Sequence, residues 1–338
     1  MLSESAVVLG IETSCDDTSA SVLEAGRRIR SNVVASQIAI HQRYGGVVPE
    51  LASRQHILSI GPVVEEAMAK AGTGWGDIAA VSVTRGPGLV GSLLVGVSVA
   101  KAIAFARHLP FIGVNHLEGH IRSNFLDDPS IPLPAVSLVV SGGHTSLYEV
   151  REAGVYRRLA RTRDDAAGEA FDKLAKLLGL GYPGGPVIDR LAERGNPRGV
   201  KFSVVKMSDG SLDFSFSGIK TAAARLVREQ GLEAATPTAN LGADSDPPPA
   251  PDASRAPGAG SAGLAAEGRG ADAGPPEPPA FVLDLCASFR RAVVDTLADR
   301  LFRAAREIQA RSVCVSGGVA CNLELRRRVA EQAAALGL

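Results

Sequence analysis

The chain has 338 residues, 45% of them in the hydrophobic set, enough for two domains of ordinary size with substantial cores. Lysine plus arginine and aspartate plus glutamate each number 36, so net charge points neither to a field that binds nucleic acid along the whole chain nor to an acidic protein. No run of about 18 apolar residues and no basic region ahead of an apolar start marks it for a membrane or for export, and cysteines at 15, 286, 314 and 321 without C-x-x-C pairing fit a reducing cytoplasm.

Strand and helix alternate along the chain. Ala6 to Thr13 reads as a strand, a turn of small polar residues follows, and Ser19 to Leu23 reads as the next strand. Ala79 to Thr84 is another strand, followed by Arg85-Gly86-Pro87-Gly88 and an apolar helix from about Val90 to Arg107. Pro110 to Val114 reads as a short buried strand, and Asn115 is placed to cap a helix that begins at His116. Ala135 to Val140 and Thr145 to Val150 form a hairpin around Ser141-Gly142-Gly143-His144.

Helical spacing of Ala167, Ala170, Phe171, Leu174, Leu177 and Leu178 predicts a helix between Asp164 and Gly179. Residues 232–280 hold ten of the 20 prolines and no aromatic residue, which predicts a disordered insertion between two helices. They carry seven acids against two arginines, leaving the remainder at +5, so any RNA contact comes from a local patch or a partner. Leu285, Phe289, Val293, Leu297, Leu301, Ala305 and Ile308 then mark a long amphipathic helix. The strand Ser312 to Val315 follows, and the last helix runs from Asn322 to Leu336. Its preceding loop, Ser316-Gly317-Gly318, repeats the tripeptide before His144, which suggests a duplicated α/β architecture.

His116-Leu117-Glu118-Gly119-His120 carries the sharpest chemistry. A helix advances about 3.6 residues per turn, so His116 and His120 share one face and both imidazoles can reach one metal ion. A chain with six histidines also places two at this spacing by chance. The zinc-peptidase pattern H-E-x-x-H needs its glutamate directly after the first histidine, whereas Glu118 is third in the pentad.

Four small-residue or glycine loops close predicted elements: Thr13 to Thr18, Ser141 to His144, Tyr182 to Pro186 and Ser316 to Val319. None is a P-loop or a G-x-G-x-x-G turn. Backbone amides in such loops can bind phosphate or carboxylate oxygens, so four of them favour a nucleotide or acyl-phosphate ligand. Asp16 and Asp17 can hold a metal or water beside a bound phosphate, or bond to their own turn. Asp172 reads as a solvated or capping charge unless the fold brings it to the glycine loops.

These residues resemble the bacterial TsaD family, also called Gcp or YgjD, whose eukaryotic and archaeal relatives are the O-sialoglycoprotein-endopeptidase-like subunits of the KEOPS complex. The resemblance runs through GIETSCDDTSA, HQRYGGVVPELASRQH at 41–56, TRGPGLVGSLLVG at 84–96 and NHLEGH at 115–120. It continues through LVVSGGHTSL, DDAAGEAFDKLAKLLGLGYPGGP, FSFSGIKTA and VSGGVACN, omitting little but 232–280. The resemblance implies an actin-like ATPase (ASKHA) fold of two similar α/β domains, 1–133 and 134–338, with a ligand cleft between them. It implies transfer of a threonylcarbamoyl group from threonylcarbamoyl-AMP to N6 of adenosine at position 37 in tRNAs reading codons that begin with A.

Carried over residue by residue, the resemblance makes His116 and His120 ligands of one divalent ion, Fe2+ with Zn2+ the alternative. It places Val139, Val140, Ser141, Gly142, Gly143, Asp172, Gly185, Asp189 and Asn322 against the substrate. No side chain is an obvious nucleophile with a paired base, so catalysis is expected to rest on positioning and electrostatics. The implied partners are tRNA, a paralogous TsaB-type subunit and a TsaE-type ATPase, in the cytoplasm. The family's third metal ligand is an Asp in a D-N-G segment after the final strand; no such segment follows VSGGVACN here, so the second domain is expected to lack a strand and a helix. A catalytically incomplete scaffold of the same complex is the second reading, and a metallo-glycoprotease, which the misordered Glu118 opposes, is the third.

Overall fold

The computed structural model describes residues 3–203, 207–232 and 277–338. The insertion expected over 232–280 lies outside these apart from its two ends.

The first lobe opens with the antiparallel meander β1 (Val7–Glu12), β2 (Asp17–Glu24) and β3 (Arg28–Ser36). After the short α1 (Ile38–His41), α2 (Pro49–Ala71) begins with Pro at its first position, where no amide partner is needed, and stops at Gly72. Next come β4 (Ile78–Gly86), α3 (Val90–Arg107) and β5 (Phe111–Asn115). The sheet order is β3-β2-β1-β4-β5, with β4 parallel to both β1 and β5. α3 is long and apolar enough by length and composition to cross a membrane, yet its small buried residues Ser92, Gly96, Ala100 and Ala104 face the helix inward, where α3 packs on β4 and α2.

α4 (His116–Asp127) begins where expected, and the Asn115 side chain accepts from the Leu117 and Glu118 amides. The second lobe contains β6 (Ala135–Val140), β7 (Thr145–Glu152) and β8 (Val155–Arg161), then α5 (Ala167–Leu177), α6 (Gly184–Ala192) and α7 (Ser217–Glu229). It ends with α8 (Ala280–Glu307), β9 (Ser312–Ser316) and α9 (Leu323–Leu336). Its order, β8-β7-β6-β9, repeats the first four positions of the first sheet with the same directions. Among the described residues no strand flanks β9 as β5 flanks β4.

The duplication is therefore real, but Ser-Gly-Gly is not its mark. Both copies sit in one sheet at the ends of the adjacent parallel strands β6 and β9. In the β9 copy one glycine answers a local demand: Gly317 has φ of 94°, and a Cβ there would meet the Val140 carbonyl oxygen at 2.4 Å.

Leu9, Val22, Val64 and Val81 centre the first core. In the second, α8 runs through the interior, with Phe289, Val293, Leu297 and Leu301 fully buried. α4 joins the two lobes: it follows β5 directly, while its fully buried Ile121 packs in a cluster with Ala135, Val139 and Val150 of the second sheet. The two histidines of α4 consequently stand where the lobes meet.

Candidate functional site

β1 ends at Glu12, and its carboxylate orients His116, the first of the histidine pair. Thr84 Oγ1 donates to Glu12 Oε2 at 2.6 Å, the Ser14 amide donates to Oε1, and His116 Nδ1 lies 3.1 Å from Oε2. Ser14 Oγ is 3.2 Å from the same ring nitrogen. Burial alone raises the Glu12 pKa, but the bonds from His116, Thr84 and Ser14 outweigh it and hold the group down at about 2.

The His116 and His120 rings stand 4.7 Å apart, centroid to centroid, at 77°. A third imidazole, His144, lies 5.7 Å from His116. Burial, and then the neighbouring His116, pulls His120 down to about 4 and lowers His144 as well. Both are thus neutral near pH 7, the form a metal takes. Among the described residues no three of His, Cys, Asp and Glu form a group able to hold a metal.

A cavity of about 720 Å³ lies in the second lobe where the Asp16 loop of the first lobe meets it. Gly142, Asp172, Gly185, Asp189 and Asn322, all expected at the substrate, line it together with Asp16 from the first lobe. Val139 and Val140 differ: both side chains are fully buried, on opposite faces of β6, in the α4 cluster and the main core. They shape the site only through the backbone of their strand. Ser141 and His144 close a tight turn, with the Ser141 amide 2.8 Å from the His144 carbonyl oxygen, that presents Gly142 and Gly143. α5 presses against this turn, since a Cβ on Gly168 would sit 2.6 Å from the Ser141 carbonyl oxygen.

Asp172 is a cap and a cavity residue at once. It accepts the Gly184 amide at 2.7 Å at the start of α6, and burial raises its pKa despite that bond. Asp189 Oδ1 accepts from Asn322 Nδ2 at 2.8 Å and from Arg290 at 2.8 Å, while its Oδ2 accepts the Leu323 amide at 3.1 Å. Asn322 caps α9 by accepting the Leu325 amide at 2.9 Å. Asp189 and Asn322 therefore act as one unit that fixes α6 to α9.

Sequence reasoning missed Glu12, Arg290 and Tyr182. The Tyr182 hydroxyl reaches Asp16 Oδ2 at 3.5 Å, across the cleft, and both residues line the cavity. Tyr182 stood inside a predicted glycine loop, which was the available signal; Glu12 and Arg290 had none, because their partners are far away in sequence.

A model of the TsaD family, described as tRNA N6-adenosine threonylcarbamoyltransferase, matches residues 28–338. A protein of that name from Anaeromyxobacter sp. (strain Fw109-5) is 48% identical over 326 residues, covering 96% of this chain and 85% of its own length. One from Pelobacter propionicus is 47% identical over 332 residues, covering 98% and 84%. Among solved structures, full-length HypF in its phosphate- and nucleotide-bound form aligns with a TM-score of 0.56 at 13% identity, over 98% of this chain and 51% of that one. That likeness shows the fold, the actin-like ATPase arrangement of two related α/β lobes. The chain belongs to the TsaD family of tRNA N6-adenosine threonylcarbamoyltransferases.

Proposed function

We propose that the chain transfers a threonylcarbamoyl group from threonylcarbamoyl-AMP to N6 of adenosine at position 37 of tRNAs reading codons that begin with A. The supporting observation is the cavity: about 720 Å³, walled by the Gly142 turn and the starts of α6 and α9, with Asp16 reaching it from the first lobe. That volume suits a ligand of adenylate size. In this reading the backbone of Val139 to Gly143 borders the ligand, the amides of Gly142 and Gly143 face its anionic oxygens, and Gly185, whose own amide is turned to Asp172, lines the pocket wall. Asp172 accepts from a ribose hydroxyl, and Asn322 offers its second Nδ2 hydrogen beside Asp189.

The amine attacks the carbamoyl carbon, and a C–N bond forms as the C–O bond to phosphate breaks. AMP leaves with the electron pair, and the amine's proton passes to solvent. No side chain here is paired as nucleophile and base, so the chain's work is to fix the two reactants and to stabilise charge.

One divalent ion, Fe2+ with Zn2+ the alternative, fits His116 and His120. Both belong to one helix, and Glu12 engages the Nδ1 edge of His116, a carboxylate behind an imidazole that orients the ring and leaves Nε2 for the ion. When bound, it would supply a localised positive charge able to polarise a carbonyl.

Ile57, Val90 and Leu94 are exposed together where α2 and α3 pack side by side near Ser53 and Gly91. This apolar face suits the paralogous TsaB-type subunit, with a TsaE-type ATPase joining the assembly in the cytoplasm, where the tRNA is. Titration with AMP tests the site. Wild type is expected to bind, and Asp172→Ala to bind at least about tenfold more weakly, the weight of a hydrogen bond to a charged group. Equal affinity in the two proteins contradicts the assignment.

A further inference from the structure

The segment His41 to Gly46 has no part in the chemistry above. Gln42–Tyr44 forms a single 3-10 turn between α1 and α2, closed by Gly45 at φ of 67°. Its underside is locked. His41 is fully buried, its Nε2 lies 3.1 Å from Gln37 Oε1, and its Nδ1 accepts the Val48 amide at 3.3 Å. The Gln37 amide donates to the Asp16 carbonyl oxygen at 3.0 Å, and His56 Nε2 lies 3.0 Å from the Cys15 carbonyl oxygen. Gln37 Nε2 links the two imidazoles, 3.4 Å from His56 Nδ1. The turn and the Asp16 loop that lines the cavity thus share one buried polar network.

From the other lobe, the Lys176 side chain lies against Gly45, one helical turn beyond Asp172 of the cavity. The outer side of the turn is bare by contrast. Tyr44 is 54% exposed, and Arg43 is exposed as well. Among the described residues neither makes a side-chain hydrogen bond, an ion pair or a ring contact. Tyr44 adds nothing to either core, yet its turn is held from below by three buried side chains.

We propose that Arg43 and Tyr44 form a nucleobase platform on the turn that is bonded to the cavity's Asp16 loop: Tyr44 stacks on the base next to the target adenosine in the tRNA loop, and Arg43 meets the adjoining phosphate. The inference rests on tRNA as the acceptor. An adenosine whose N6 enters a pocket must leave its stack, and a preformed aromatic face replaces part of that stacking. Stacking tolerates any base, as an enzyme serving several tRNAs requires. A turn already fixed in place loses little freedom on binding. Lys176 adds a second cation on the far side.

The test uses the chain in complex with its partner subunits. Tyr44→Ala is expected to raise KM for tRNA about tenfold while kcat and KM for the adenylate stay unchanged, and Tyr44→Trp to restore it. An anticodon stem-loop RNA carrying 2-aminopurine beside the target adenosine gives the direct readout: quenching by wild type and the Trp variant, none by the Ala variant. The thermal midpoint of Tyr44→Ala is expected to match wild type. Unchanged KM and unchanged quenching in Tyr44→Ala, with wild-type transfer intact, overturn the platform alone. A wild-type complex that transfers nothing to tRNA overturns the acceptor reading and the platform with it.

Discussion

His116 is held through one ring nitrogen, with the Glu12 carboxylate at 3.1 Å and the Ser14 hydroxyl at 3.2 Å. Removing the charge behind the ring leaves its position loosely determined, so Glu12→Gln is expected to weaken Fe2+ or Co2+ binding about 10- to 100-fold without unfolding the protein. A metal titration followed by absorbance checks this. Asp164 makes a different kind of prediction. It accepts the Phe216 amide at 2.8 Å and the Ser217 hydroxyl at 2.7 Å at the start of α7, and these bonds outweigh burial and lower its pKa from the ordinary 3.8. A carboxylate favoured in the folded state stabilises fully above that ordinary value, and the contribution fades as pH falls below it. Asp164→Asn is therefore expected to melt below wild type at pH 7, with the gap narrowing below about pH 3.8; thermal scans across that range decide. The histidine pair was legible because its spacing is local. Glu12 was not, since it meets His116 across 104 residues of chain.

At the scale of elements, α4 carries both histidines and the contact between lobes. Ile121 is fully buried against the second sheet, so Ile121→Ala is expected to cost about 2–5 kcal/mol. The same variant is expected to weaken metal binding, because it loosens the helix that aims both rings; urea unfolding and the metal titration measure the two effects separately. Gly317→Ala adds a Cβ 2.4 Å from the Val140 carbonyl oxygen at a left-handed position, and is expected to destabilise by about 1–3 kcal/mol in the same urea assay. Buried strands such as β6 announced themselves as apolar runs, and α4 by its asparagine cap. β3 and β8 did not: they are edge strands, and Arg28, Arg30, Arg157 and Arg158 interrupt the apolar alternation. α2 and α6 were also missed, α6 because two glycines and a proline open it.

For the whole molecule, the repeated strand order was suggested by a tripeptide that turned out to serve one sheet, while the duplication itself appeared only in the pairing. Asp172 shows the same gap between chain and fold: on its helix it read as an ordinary charge, and only the approach of the Gly184 loop placed it in the cavity. Each lobe supplies part of the candidate site. The first supplies Glu12 and Asp16, α4 supplies the histidines, and the second lobe supplies the glycine turns, Asp172 and the Asp189–Asn322 unit. A substitution in either lobe should therefore stop one reaction. Mass spectrometry of nucleosides from tRNA, incubated with threonylcarbamoyl-AMP, the partner subunits and the chain, asks this directly. Wild type is expected to yield threonylcarbamoyl-adenosine at position 37, and Asp172→Ala and the paired His116→Ala, His120→Ala variant are each expected to reduce it at least about a hundredfold, the order of loss for a group that positions or stabilises the reacting atoms. Unmodified adenosine with wild type, or full modification by either variant, contradicts the assignment.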